Sequence, residues 1–209
     1  LESITRGSIY DRNGRLLVSD RTGEGGERIR FYTEPSLSQV IGYVSGLRTG
    51  VSGLERYYNE TLLGLNRPDA QLQKMFHEDT TGSDLILTID SFIQRAAEKA
   101  LEGQNGSITV FDGRTGAVLA MASSPYFDPN RMLDAEYVAD LVENCGEGSD
   151  CQGILLNRAS QALYTPGSTW KTVTLLAALD AGQVDPGMVF DFGEPVQGCL
   201  LYTSPSPRD

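Results

Sequence analysis

Residues 164–171 read Tyr164-Thr165-Pro166-Gly167-Ser168-Thr169-Trp170-Lys171, and behind them Thr172, Leu175, Leu176 and Leu179 recur at i, i+3, i+4 and i+7. This spacing predicts a helix that begins near Ser168 and stops at Gly182, with Pro166-Gly167 punctuating its start. Ser168 and Lys171 stand three residues apart, so such a helix holds both side chains on one face. A serine hydroxyl of ordinary acidity is a poor nucleophile, and a neutral amine beside it can take the proton as attack begins. The ammonium must first lose its charge; burial against the apolar residues after Lys171 is the expected means. A helix N-terminus adds backbone N–H groups and a dipole that favour developing negative charge, which makes the Ser168 N–H a candidate oxyanion donor. Taken alone, Ser-x-x-Lys is equally a serine helix cap followed by an exposed lysine. The rest of the chain has to decide.

Upstream of this motif, residues 84–89 (Asp-Leu-Ile-Leu-Thr-Ile) predict a short strand leading into Asp90-Ser91-Phe92-Ile93-Gln94, where Ser91 and Gln94 have the spacing of a capping box. The helix beyond puts Ile93, Ala96, Ala97, Ala100 and Leu101 on one stripe, which should pack on a sheet. The apolar runs at residues 107–111 and 117–121, joined by Asp112-Gly113-Arg114-Thr115-Gly116, predict the antiparallel hairpin that supplies it. Residues 123–130 form a proline-punctuated loop, and 134–143 a short helix. Strand, helix and antiparallel hairpin in this order make an α+β domain.

Residues 6–81 are rich in Gly and charge. Ser8-Ile9-Tyr10 and Arg15-Leu16-Leu17-Val18 flank Asp11-Arg12-Asn13-Gly14, whose Asn-Gly step predicts a β-hairpin. Residues 53–63 predict a helix with Leu54, Tyr57, Tyr58 and Thr61 on one face and Gly64 as its stop.

The 209 residues are 40% apolar, enough for a core, and carry a net charge of −11, which argues against a nucleic-acid partner because phosphate binding needs clustered Lys and Arg. No run approaches the length of apolar sequence that a membrane helix needs. The lone His77, with no second His and no Cys nearby, argues against a metal site. Cys145 and Cys151 lie in a glycine-containing stretch and can pair outside the cytoplasm; the alternative is two free thiols. Residues 199–209 (Cys-Leu-Leu-Tyr-Thr-Ser-Pro-Ser-Pro-Arg-Asp) break off from the pattern before them and read as a translated sequencing adapter, not native sequence, so they are set aside from the fold.

Several ordered segments resemble class B penicillin-binding proteins, the membrane-anchored peptidoglycan transpeptidases of bacterial elongation and division. Arg6-Gly7-Ser8-Ile9-Tyr10-Asp11-Arg12-Asn13-Gly14 looks like the family's opening signature, and Gly53-Leu54-Glu55 with Tyr58 and Leu63-Gly64 is similar to its next segment. Leu87-Thr88-Ile89-Asp90 with Gln94, Ala97 and Ala100-Leu101 resembles the start of the transpeptidase domain. Ala120-Met121-Ala122-Ser123, then Phe127-Asp128-Pro129-Asn130, then Asn157-Arg158-Ala159 before Pro166-Gly167-Ser168-Thr169-Trp170-Lys171 complete the series. In that context Ser-x-x-Lys is one of the signatures of penicillin-binding proteins and serine β-lactamases.

The resemblance implies a β-rich pedestal or dimerisation-type domain at residues 1–80 and the first part of a penicillin-recognising serine transpeptidase (β-lactamase-like) domain at 84–198. It implies Ser168 and Lys171 as the catalytic pair, acylation of Ser168 by the D-Ala-D-Ala end of a stem peptide, transfer to an amine of a neighbouring stem peptide, and trapping by β-lactams. It implies no cofactor, an extracytoplasmic position on the plasma membrane with an N-terminal anchor helix that this chain lacks, and a glycosyltransferase partner in that membrane. The family's Ser-x-Asn and Lys-Thr/Ser-Gly motifs are expected beyond Gly198, so these residues alone are expected to turn over no substrate. Two rivals remain: a serine β-lactamase or β-lactam sensor, which would not need the segments at 6–14 and 53–64, and a non-catalytic wall-synthesis scaffold in which Ser168 is inert.

Overall fold

A computed structural model of the chain describes residues 4–23, 25–66, 81–145 and 153–189. The chain divides into two compact units, Leu1–Leu163 and Tyr164–Asp209. His77, Cys151 and the tail at 199–209 lie outside the described residues.

In the first unit, β1 (Ile9–Tyr10) pairs antiparallel with β2 (Leu16–Thr22), as the Asn-Gly step predicts. The turn between them is held by the Asp11 carboxylate, whose Oδ1 accepts the N–H groups of Asn13 and Arg15 at 2.8 Å each. Gly14, with φ 78°, takes the left-handed conformation that a residue with a Cβ resists. β3 (Arg28–Tyr32) pairs antiparallel with β2, and β4 (Leu85–Ile86) pairs parallel with β1, giving one sheet in the order β3-β2-β1-β4. β4 covers only two residues of the strand predicted over 84–89. Its approach to β1 depends on Gly7 and Gly82: a Cβ on Gly7 would lie 2.0 Å from the carbonyl oxygen of Ser83, and one on Gly82 1.8 Å from that of Leu62.

A 3-10 turn at Pro35–Leu37 and the single turn α1 (Ser38–Ile41) follow β3. The helix predicted over 53–63 is present but broken at Tyr58 into α2 (Gly53–Tyr57) and α3 (Asn59–Leu62), and the chain turns at Gly64, φ 70°. Its inward face differs from the apolar stripe in the sequence. Glu55, Leu62 and Leu63 are buried, whereas Tyr57 is 80% exposed and stacks edge-on against Tyr58. Glu55 goes inside because two buried arginines await it, and that contact outweighs the amphipathic pattern.

α4 (Ser91–Ala100) lies across the hairpin of β5 (Gly106–Phe111) and β6 (Val118–Ser124). Ala97 and Leu101 pack with Ala120 and Ala122, and Ile93, Ile108 and Val110 close the cluster. The helix therefore packs on a sheet as predicted, although Ala96 and Ala100 face solvent. The cap is Asp90, not Ser91: the Asp90 carboxylate accepts the N–H groups of Phe92 and Ile93, while Ser91 Oγ donates to Asp11. Gln94 does not reach back to close a capping box. It is fully buried, its Oε1 accepting the Met121 N–H at 2.9 Å and its Nε2 facing Ser36 and the Met121 carbonyl. α5 (Ala135–Asn144) starts at Asp134, which caps Glu136 and Tyr137.

The larger core joins Ile9, Leu17, Val18, Tyr32, Leu37, Ile41 and Leu62 to Ile89, with Leu85, Leu87, Val118 and Met121 packed against it. Residues on both sides of positions 80–84 thus share one core. In the second unit, a 3-10 turn at Gly167–Thr169 runs into α6 (Trp170–Asp180), which ends at Gly182 with φ 66°, as the sequence predicts.

Candidate active site

Ser168 sits in the 3-10 turn that opens α6, and Lys171 in the first turn of the α-helix itself. Pro166 and Thr169 already have helical backbone angles, and Gly167, at φ 53°, makes the left-handed step that swings the chain into the turn. The Thr169 N–H donates to the Pro166 carbonyl at 3.1 Å and its Oγ1 donates to the same oxygen. The Trp170 N–H closes on Gly167 and Ser168. Among the described residues no backbone carbonyl accepts the Ser168 N–H, as is usual for the first turn of a helix.

Both side chains of the pair are exposed, and no hydrogen bond joins them among the described residues. The sequence-based expectation that the apolar helix buries Lys171 is not met. One helix cannot desolvate its own side chain; a second surface has to be laid over it. In this unit Trp170, Val173, Leu175 and Leu176 are themselves 58%, 49%, 55% and 60% exposed. A helix so apolar around its circumference has the composition of one that is buried from more than one side.

Cys145 caps the end of α5 and is disulfide-bonded; its predicted partner Cys151 lies outside the described residues. Among the described residues no group of His, Cys, Asp or Glu is arranged to hold a metal ion, and no helix is long and apolar enough to cross a membrane.

Two features of the first unit escaped the sequence reading. The turn at 157–159 is pinned to the end of β6 by Ser123 Oγ, which accepts the Arg158 N–H at 2.8 Å, and is held together by Asn157 Oδ1, which accepts the Ala159 N–H at 3.1 Å. Nothing in the spacing of Ser123 and Arg158 announces the contact. The second is a buried charge cluster. Arg6 Nε and Arg30 Nε donate to the two oxygens of Glu55 at 2.7 and 2.8 Å, and Asp20 bridges Arg30 and Arg48. Arg6 also donates to the Glu55 carbonyl and to Asn59 Oδ1. Burial lowers the Arg6 guanidinium from its ordinary value, while the charge and hydrogen bond of Glu55 act the other way. Burial, reinforced by Glu55, raises the Tyr32 phenol beside them. Arg6 and Glu55 both fall in segments that carry the family resemblance, so their presence was legible while their pairing was not.

Comparison with known proteins agrees with the geometry. Residues 106–196 match the family described as the penicillin binding protein transpeptidase domain, and the chain covers part of that domain. More narrowly, the chain is similar to class B penicillin-binding proteins. It is 32% identical to the peptidoglycan D,D-transpeptidase MrdA of Escherichia coli strain K12, over 78% of this chain and 31% of that protein. It is 35% identical to the peptidoglycan D,D-transpeptidase PbpA of Mycolicibacterium smegmatis, over 86% of this chain and 38% of that one. The penicillin G acyl-enzyme of penicillin-binding protein A from M. tuberculosis superposes with a TM-score of 0.72 at 32% identity, covering 85% of this chain and 43% of that one. The α+β arrangement is thus that of the penicillin-recognising fold, and the chain spans less than half the length of these relatives.

Proposed function

We propose that the protein to which this chain belongs is a peptidoglycan D,D-transpeptidase that works through an acyl-enzyme on Ser168. The observation that carries the reading is the placement of Ser168 at the opening turn of α6, with no backbone carbonyl on its N–H among the described residues and Lys171 one turn on. Lys171 takes the hydroxyl proton as Ser168 Oγ attacks the carbonyl carbon of the penultimate D-Ala, and the Ser168 N–H supports the oxyanion. Collapse of the tetrahedral intermediate expels the terminal D-Ala, whose nitrogen takes a proton. An amine of a second stem peptide then attacks the ester and restores the free hydroxyl. A β-lactam enters by the same first step but carries its leaving group in a ring, so the acyl-enzyme persists.

The relatives named above support this assignment: two are called peptidoglycan D,D-transpeptidases and one is a penicillin G acyl-enzyme. An extracytoplasmic position beside the plasma membrane and a membrane glycosyltransferase partner belong to the same proposal. So do a pedestal at residues 1–80, a transpeptidase part at 84–198, and the Cys145–Cys151 pair. Incubating the full-length parent with a stem pentapeptide ending in D-Ala-D-Ala and an acceptor stem peptide should release D-Ala and form a cross-linked dimer. Ser168→Ala should do neither. Wild-type protein that forms no cross-link would favour the scaffold reading.

A further inference from the structure

Gln39 stands in α1, the single turn that follows the 3-10 turn at Pro35–Leu37, and its side chain reaches residues far along the chain. Its Nε2 donates to two carbonyls, that of Pro125 at 2.9 Å and that of Ile154 at 2.8 Å, 86 and 115 residues away. Both N–H groups of the carboxamide are thereby used, and neither contact serves α1 itself. Ile154 opens the stretch of the first unit that leads toward the nucleophile turn. β6 holds the same stretch from a second side: Ser123 Oγ accepts the Arg158 N–H at 2.8 Å, and Asn157 Nδ2 donates to Met121 Sδ at 3.6 Å. Ile154 and Asn157, where the ties land, are both buried. Past Gln161, whose Oε1 accepts the Asn157 N–H at 3.1 Å, the ties stop. Leu163 is 99% exposed, and among the described residues no hydrogen bond holds residues 162–165.

Taking Ser168 as the acylated residue, on which this inference rests, we propose that Gln39 is a positioning residue for the acylation step. By tying the Ile154 carbonyl to α1, it fixes the course on which the chain leaves the first unit toward the nucleophile turn. Gln39 touches no reacting atom and acts only through this stretch. Attack requires the reacting atoms about 3–3.5 Å apart and aligned, and a displacement of about 1 Å caused from a distance can cost about a hundredfold in rate. A side chain that merely filled space would be replaceable by another of its size. One that positions through its N–H groups is not.

The test separates binding from chemistry in the full-length parent. Gln39→Met keeps the length of the side chain and removes both N–H groups, whereas Gln39→His keeps one N–H at the same reach. Stopped-flow acylation over a range of penicillin G concentrations should show a rate constant about tenfold to a hundredfold lower in Gln39→Met, with the dissociation constant of the preceding non-covalent complex little changed. Gln39→His should recover most of that loss. Amide hydrogen exchange should speed up at Leu156, Asn157 and Arg158 in Gln39→Met and stay unchanged in α4. If Gln39→Met fails to fold, Ser123→Ala, which removes the tie from β6, carries the same expectations. An unchanged acylation rate constant, or a loss confined to the dissociation constant, would overturn this proposal alone. A parent whose Ser168 takes no penicillin would overturn it together with the reading of Ser168 as nucleophile.

Discussion

Arg6 Nε donates to Glu55 Oε2 at 2.7 Å across 49 residues of chain, and both side chains are fully buried. With Arg30 on the other oxygen of the same carboxylate, the pair ties the start of the chain to α2 and β3. Removing Glu55 takes the shared carboxylate from two buried guanidiniums. Glu55→Ala should therefore lose about 3–5 kcal/mol in urea unfolding of the chain, far more than an exposed ion pair provides. A loss under about 1 kcal/mol would show that water reaches the cluster.

The two residues at the start of α4 act differently, and substitution separates them. Asp90→Ala removes a cap with two N–H contacts and should destabilise by about 1 kcal/mol. Ser91→Ala leaves the helix capped but strips a buried hydrogen bond from Asp11, which should cost about 1–3 kcal/mol. A loss in Ser91→Ala that Ser91→Asn does not show, with Asp90→Ala silent, would instead favour Ser91 as the cap.

Asp11 also sets an acid limit. Burial disfavours its charge, but hydrogen bonds from Ser91 Oγ and from the N–H groups of Arg15, Asn13 and Ser91 outweigh that and hold its carboxyl below the ordinary 3.8. Asp90 is lowered as well, chiefly by Asn13. A carboxyl lowered in the folded state contributes stability that is complete above its unfolded value and lost as pH falls through the folded one. Stability should accordingly fall below about pH 4, and Asp11→Asn should be less stable at neutral pH with a shallower acid loss. Chemical denaturation at a series of pH values measures both slopes.

What the sequence revealed and what it hid follow from the range of the interactions. Hairpin turns, the α4 stripe and the Gly182 stop are local, and residues a few positions apart encode them. Glu55 misled because its partners, Arg6 and Arg30, lie 49 and 25 residues away, and no periodicity reports a contact of that range. Gln94 was read as a local cap although its bonds run to Met121 and Ser36. The placement of Ser168 and Lys171 one turn apart was legible because their spacing is helical, whereas the environment of Lys171 depends on surfaces that one helix does not provide.

The proposed mechanism gives the proton transfer to Lys171. Lys171→Ala in the full-length parent should slow acylation by penicillin about 10²–10⁴-fold while thermal stability stays close to that of the unaltered protein. Stopped-flow trapping of the acyl-enzyme reads the rate. A change below about tenfold would leave the exposed lysine as a surface charge.

The nucleophile can be tested most directly by treating the full-length parent with penicillin G, digesting it, and locating the added mass by peptide sequencing in the mass spectrometer. The account predicts one adduct, on Ser168, absent from Ser168→Ala protein. An adduct on another residue, or one that persists in Ser168→Ala, would contradict it.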